Sequence, residues 1–351
     1  YTANPSFVWV DGTSANDRAR AVLDELARAD AYGLSASDYP VELPSNQFDP
    51  SALDERQRAL VLFEMNMSAQ VLSYVLDATR GRVDPNRLSG YHDFKRKNVD
   101  LVAALENLAS AADAGATLAA SNPGNRQFKA LAQELAELNA AEAENQIVIA
   151  EGTFLKPGAE NPELKNVVAA IRKRGSGLSA DGIVGRNTIS KLTDVSTAAK
   201  KDMIVLAMER LRWLPRELGS RHVFINQPAY RATYINNDRD ALSMRVVVGK
   251  KSNQTNFFHD EIETVEYNPY WGVPRSIIVN EMLPQLRRDP SYLDRQGYEL
   301  TDRRGRRVAS TNINWYSVGS NSIPVDIRQP PGAKNALGEL KILFPNEHAI
   351  Y

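Results

Sequence analysis

The residues that could do chemistry are few. The chain has 351 residues, no cysteine and four histidines, His92, His222, His259 and His348. Without a thiol there is no disulfide, no thiolate metal site and no cysteine nucleophile within these residues. The histidines form no H-x-H or H-E-x-x-H pair, so a zinc site has little support. His259-Asp260-Glu261 is a partial metal-ligand cluster by residue type. Adjacent side chains rarely converge on one ion, and it reads as surface. "VVVGKK" (246–251) lacks the upstream Gly and the Ser or Thr after Lys that a phosphate cradle needs, so Lys250 reads as a solvated strand end. "RRGRR" (303–307) could hold an anion, but four Arg around one Gly reads first as an exposed hairpin turn. Serine is a poor nucleophile without a positioned base. No carboxylate pair stands out among 43 acidic residues.

Composition narrows the class. Hydrophobic residues are 43% and charged residues 24%, ordinary for a soluble globular protein. A length of 351 residues predicts two or three domains. The formal net charge is -1 and the pI about 6.5, which argues against a nucleic-acid partner. The longest apolar runs are short pieces such as Ile147–Ala150, so no membrane span is expected. No signal peptide is visible, but Tyr1 is not Met, and an export signal or anchor upstream stays open.

The elements that would position a site follow from periodicity. Residues 1–150 read as helical. Ser14 with Asp17 three later is a capping-box-like start. A stripe of Ala19, Val22, Leu23, Leu26 and Ala27 follows, with Gly33 as the stop. A second helix is predicted over 54–79 on Leu60, Phe63, Met67, Val71, Tyr74 and Val75. Two more are predicted over 101–114 and 128–143. Residues 199–213 give another, with Ile204, Met208 and Leu211 inward. From His222 the period switches to two. "HVFINQPAYRATYIN" and "ALSMRVVVGK" predict a β-hairpin turning at 236–238, and "IETVEYNPYW" predicts a strand. Residues 275–297 turn helical again. The last strand is 340–344, with a turn at Pro345-Asn346 and a further strand beginning at Ala349.

"GLSADGIVGRNTISKL" (177–192) has an ordered spacing. A helix C-cap is followed by a tight Asp181-Gly182 turn and the apolar plug Ile183-Val184. A second turn at Gly185 leads into a helix with Asn187 or Thr188 near its start. This stretch resembles the repeat of the small helical peptidoglycan-binding domain, which would place Asp181, Gly182, Gly185 and Thr188 in the binding repeat. The family's longer helix with an aromatic-Gln pair is absent, since "AAIRKRGS" runs straight into "GLSADG". Either the copy is shortened or residues are missing near 176–177. The alternative is a docking element that binds no glycan.

A second resemblance is carried by "NPYWGVP" (268–274) and "NALG" (335–338), with "VVVGKKSNQTNFFHDEIETVEY" before them and "ELKILFPNEHAIY" at the end. These resemble the YkuD-type catalytic domain of L,D-transpeptidases. "GRVDP" (81–85) and "DAYGLSASDY" (30–39) resemble the scaffold domain of the large Gram-negative subgroup. One departure is Asn256, where the family usually has Pro. The resemblance implies an α+β multidomain protein. A helical scaffold domain (1–150) would be followed by a peptidoglycan-binding-like domain (151–198). A β-rich catalytic domain (199–351) would carry a capping subdomain at about 271–335.

The same resemblance implies an acyltransferase of cell-wall biogenesis and cell shape. It would form 3–3 peptidoglycan cross-links through a cysteine acyl-enzyme and would be a carbapenem target. Its partners would be donor and acceptor peptidoglycan stem peptides, with contact to other cell-wall synthesis proteins in the periplasm or cell envelope. No cofactor, metal or nucleic acid is implied. The catalytic His and Cys are expected beyond Tyr351, and His348 should not be promoted to that role. Tyr267, Asn268, Tyr270 and Trp271 would lie at the cleft edge or serve as hinge packing. Asn335, Gly338 and Lys341 would shape the donor groove, Gly338 more simply serving a backbone turn. His348 and Tyr351 would lie by the acyl site. The rival class is a non-catalytic peptidoglycan-binding or scaffold protein of the envelope, favoured by the absence of cysteine.

Overall fold

A computed structural model describes residues 6–45, 47–144, 197–319, 321–348 and 350–351. The peptidoglycan-binding-like domain expected at 151–198, with Asp181, Gly182, Gly185 and Thr188, lies outside the described residues but for its last two positions. The chain divides into two compact units, Tyr1–Phe258 and His259–Tyr351. Helices and several small sheets make the architecture mixed α+β.

The first unit opens with a short hairpin, β1 (Val10–Asp11) with β2 (Ser14–Ala15), and then α1 (Asp17–Leu26). Ser14 is held in the hairpin, and the helix cap is Asn16, whose Oδ1 accepts the Ala19 N–H at 2.9 Å. α1 ends at Leu26, and Gly33 (φ +68°) closes the following 3-10 turn instead. α2 (Leu53–Arg80) is the central helix. Its buried residues Leu60, Phe63, Met67, Val71, Tyr74, Val75 and Ala78 recur every three or four positions and form one stripe. They pack against Val8, Trp9, Ala19, Val22, Leu26 and, from α3 (Leu101–Ser110) and α4 (Ala114–Ala119), Leu108 and Leu118. By length and composition α2 is apolar enough to cross a membrane. Its inner face is nevertheless committed to this core and carries the buried Glu64 and Arg56.

Glu64 is 1% exposed and accepts the backbone N–H groups of Val8 (2.6 Å) and Trp9 (2.8 Å). A second core joins α5 (Arg126–Glu144) to α6 (Thr197–Trp213) through Phe128, Leu135, Ile204, Met208 and Leu211. Arg212 is fully buried beside it. Its Nη2 donates to Tyr32 O and Asn122 Oδ1, and its guanidinium lies over the Phe128 ring. Gly115 sits where α4 crosses α1, and a Cβ there would lie 2.9 Å from Ala21 O. Gly115→Ala is therefore expected to destabilise the unit by about 1–3 kcal/mol, as overpacking does, measured as a lower urea midpoint.

Lys97 bridges the ends of two helices, its Nζ donating to Thr79 O (2.8 Å) in α2 and Arg212 O (2.7 Å) in α6. Burial, reinforced by Arg216 and Arg212, pulls its pKa down to about 8. Between about pH 8 and the ordinary lysine value near about 10.4, the unfolded chain binds the proton and the folded chain does not, so stability rises with pH. Burial pushes Tyr39 and Tyr74 in the other direction, well above the ordinary phenol range. Above about pH 10 the unfolded tyrosines ionise first, and stability falls. Urea midpoints measured from pH 7 to 11 are expected to peak near about pH 10. In Lys97→Met the rise from pH 8 to 10 should vanish while the fall above it remains.

The expected single hairpin after His222 is a three-stranded meander, β4 (Arg221–Asn226), β5 (Arg231–Asn236) and β6 (Arg239–Arg245). The run read as one strand breaks at the turn Gln227–Tyr230, where Tyr230 takes φ +53°. The turn foreseen at 236–238 is present, with Asn237 and Asp238 both left-handed as a two-residue hairpin loop requires. The unit ends where β7 (Phe257–Phe258) pairs in parallel with β3 (His92–Asp93). The His92 ring stacks on Phe257 at 5.0 Å and meets Trp213 edge-on at 5.9 Å.

In the second unit β8 (Thr264–Tyr267) pairs antiparallel with β12 (Leu340–Leu343). Between these strands runs an insertion with its own sheet and core. β9 (Trp271–Gly272) pairs with β11 (Val325–Gln329), which pairs with β10 (Glu299–Asp302). Helical turns at Arg275–Ile277, Leu283–Arg288 and Tyr292–Arg295 cover that sheet, the first two joined by a π-helical turn at Ile278–Met282. Its core is Val273, Ile278, Met282, Leu283, Leu286, Leu293, Leu300, Trp315, Val318, Val325 and Ile327. "RRGRR" forms the β10 hairpin turn as expected. Asp302 holds that turn, its Oδ1 accepting from the N–H groups of Arg304 and Arg306. Ile350 and Tyr351 are not in a strand.

Candidate functional site

Tyr267, Asn268, Tyr270, Trp271, Asn335, Gly338 and Lys341 lie together where the insertion leaves and rejoins the β8–β12 sheet. Tyr267 ends β8 opposite Leu340 and is 75% exposed. Side chains alternate across a strand, so Tyr267 shares a face with Val265, Leu340 and Ile342. All four are exposed. Asn268 reverses the chain with φ +50°, and its N–H donates to Glu339 O at 2.8 Å. A left-handed Asn is tolerated where a bulkier residue would strain. Pro269 is buried just after it.

Tyr270 and Trp271 begin the insertion. The Arg328 guanidinium lies 4.3 Å over the Tyr270 ring and pairs with Glu299 at 2.9 Å. Glu299 also pairs with Arg307. Trp271 packs against the insertion's core and pairs with Gln329. Trp271 is packed, Asn268 is exposed and engaged through its backbone, and Tyr267 faces outward.

Asn335 is 8% exposed, and its amide is fully engaged. Nδ2 lies 2.9 Å from Pro269 O, 3.0 Å from Pro330 O and 3.4 Å from Gln329 O, while Oδ1 accepts from Leu337 N–H at 2.8 Å. Gly338 (φ +71°) closes the turn by donating its N–H to Asn335 O. Lys341 follows on β12 opposite Glu266, and its ammonium lies 4.2 Å over the Tyr351 ring. Thus Lys341 and Tyr351 meet. His348 is in the turn between them, its N–H bound to Asn346 Oδ1 at 3.0 Å.

Asn346, a turn residue by sequence, does more. Its Nδ2 donates to Phe344 O and Ile350 O, and its Oδ1 also accepts from Ile350 N–H. It therefore sets the path that brings Tyr351 back over Lys341. Arg328 and Glu299, which carry the ion pair beneath Tyr270, also escaped sequence reasoning. Neither stands in a motif, and their pairing is a cross-strand contact between β10 and β11. A cavity of about 390 Å³ opens among α2, α3 and α4, lined by Val75, Thr79, Asn107, Leu108, Thr117 and Arg216. None of the expected site residues lines it.

The arrangement offers aromatic surface, a cation and backbone polar groups around a two-strand crossing. Among these residues no thiol is present. They can bind and orient, and they supply no nucleophile.

Comparison with known proteins accounts for both ends of the chain. Residues 220–351 match the L,D-transpeptidase catalytic domain, and residues 1–135 match the scaffold domain. The chain thus carries a scaffold domain and an L,D-transpeptidase catalytic domain. It is also 30% identical over 201 residues to a Haemophilus influenzae protein whose name reads "Putative L,D-transpeptidase". That similarity covers 55% of this chain and 40% of the relative, so the chain spans well under half of the relative's length.

Proposed function

We propose that the protein is an L,D-transpeptidase that forms 3–3 cross-links between peptidoglycan stem peptides on the periplasmic side of the cell envelope. The observation that carries this reading is the match of residues 220–351 to the catalytic domain, together with the match of residues 1–135 to the scaffold domain. In the proposed reaction a thiolate attacks the amide carbonyl between the third and fourth stem residues. The terminal amino acid leaves with a proton on its amine. An amine of a second stem then attacks the thioester, releasing the thiolate and forming the cross-link. The thiolate needs a neighbouring imidazole to lower its pKa, and the oxyanion needs aimed donors. The chain holds no cysteine, so the thiol and its imidazole are assigned to residues beyond Tyr351.

Within the chain, the outward face of Tyr267 and the Lys341–Tyr351 pair supply the substrate contacts in this reading. The insertion between β8 and β12 acts as the capping subdomain. Residues 151–198, with Asp181, Gly182, Gly185 and Thr188, hold the wall.

The test is intact mass of the full-length protein after incubation with a carbapenem. One drug mass added, and lost on replacing the cysteine, is the expected result. No adduct, with sacculi still bound, would leave the non-catalytic wall-binding reading. Cross-linked products from purified sacculi would separate transpeptidation from hydrolysis.

A further inference from the structure

We infer that Asn335 is the positioning residue of the insertion, a latch that fixes its angle to the β8–β12 sheet. The insertion is joined to that sheet by two crossings. The outgoing crossing runs from Tyr267 through Asn268 and Pro269 to β9. The returning one runs from Gln329 and Pro330 to β12. The β8–β12 pairing ends at Tyr267 and Leu340, and the β9–β11 pairing begins at Trp271 and Gln329. One backbone bond, from Asn268 N–H to Glu339 O, continues the sheet into the stretch between them, and beyond it the two crossings are tied by side chains. The Asn335 side chain sits in that gap. One Nδ2 group reaches the carbonyl of Pro269 on one crossing and those of Pro330 and Gln329 on the other.

The acceptors Pro269 and Pro330 are themselves rigid. Proline fixes φ, so each carbonyl is presented from a stiff segment. Asn335 is in turn anchored by its own backbone. Its N–H donates to Gly332 O, and its Oδ1 fixes Leu337 N–H. The Gln329 side chain adds a parallel tie, its Oε1 accepting from Ala336 N–H at 2.9 Å. Because the amide is buried, the carbonyls left by its removal would have no water to replace it, and the crossings would separate to find some. This inference rests on the transpeptidase reading for its consequence: with a cap above the cleft, the latch sets how wide the cleft stands.

Residues 1–351 hold no cysteine, and in the full-length protein the thiol assigned beyond Tyr351 is replaced by serine, so that two introduced thiols are labelled without interference. Spin labels are placed at Arg304→Cys, on the exposed β10 turn, and at Glu263→Cys, beside β8, and the distance distribution is measured by pulsed electron resonance. A single narrow distribution is expected for the parent chain. Asn335→Ala is expected to widen it at least twofold. Asn335→Asp keeps the acceptor for Leu337 N–H but loses both donors, and is expected to widen it equally. Ser310→Ala, inside the insertion's core, should lower the melting temperature without widening the distribution.

Parental widths in both Asn335 variants, or equal widening in Ser310→Ala, would overturn the latch. So would failure of both Asn335 variants to fold, which would assign the residue to folding alone. A parental width alongside a carbapenem adduct in the full-length protein would remove the latch and leave the enzyme reading standing. A widened distribution without an adduct would do the reverse.

Discussion

Trp315→Ala is expected to cost about 3–5 kcal/mol, the range for truncating a buried tryptophan, and to unfold the insertion while leaving the first unit intact. Trp315 is 1% exposed at the centre of the insertion's core, and its Nε1 donates to Ser310 O at 2.9 Å. The substitution therefore removes the largest buried side chain of that core and one of the two donors to the Ser310 carbonyl, which keeps the Ile313 N–H. A folded piece of this size, about 60 residues, has little stability to spare. Its few kilocalories are comparable to the loss. Hydrogen exchange reads the outcome directly. Amides of 271–329 should lose protection, while those of α2 keep theirs. Uniform loss across both units would contradict an independently folding insertion.

Glu64→Ala is expected to lower the stability of the first unit by about 3 kcal/mol, since each buried donor left without a partner costs about 1–3 kcal/mol. Two donors are affected, the N–H groups of Val8 and Trp9, which are 7% and 0% exposed. Glu64→Gln keeps one acceptor oxygen and should lose about half as much. The urea midpoint checks both variants. Equal losses would mean that the carboxylate acts through its packing and not through its two acceptor oxygens. The N-terminal segment should also become more open to proteolysis in Glu64→Ala, because that carboxylate shares with the Trp9 Nε1–Ser68 Oγ bond the task of holding it on α2.

The helices were legible where one apolar stripe ran unbroken. Leu60, Phe63, Met67, Val71 and Tyr74 declare α2 because a 3.6-residue period sustained over about four turns has no competing explanation. Short-range capping was less legible. Ser14, Asn16 and Asp17 all suit a helix start, and only the hairpin that consumes Ser14 decides for Asn16. The meander was legible only as a single hairpin because Pro228 is the one breaker in Gln227–Tyr230, with no Gly or Asn-Gly pair beside it. Tyr230 takes a left-handed conformation that its residue type does not advertise.

The site divides in the same way. The stretches around Tyr267 and Asn335 were recognisable as motifs, and they do gather at one place. What Asn335 does there was hidden, because its partners are backbone carbonyls far along the chain. A carbonyl is the same in every residue type, so such a bond leaves no mark in the sequence of its acceptor. Likewise Lys341 meets Tyr351 only because Asn346 folds the intervening turn.

The parallel pairing of β3 with β7 has a kinetic side. His92 pairs with Phe257 and Asp93 with Phe258. A two-rung ladder between such distant residues closes a very long loop, and the entropy of that closure precedes any contact energy. On a ribosome, β3 would wait for residues 94–256 to be made before its partner existed. The helical part of the first unit can mature meanwhile on local contacts, leaving docking of β7 as a late event. Refolding should then show two phases, helix signal recovering first and the environment of Trp213, against which His92 is stacked edge-on, recovering last.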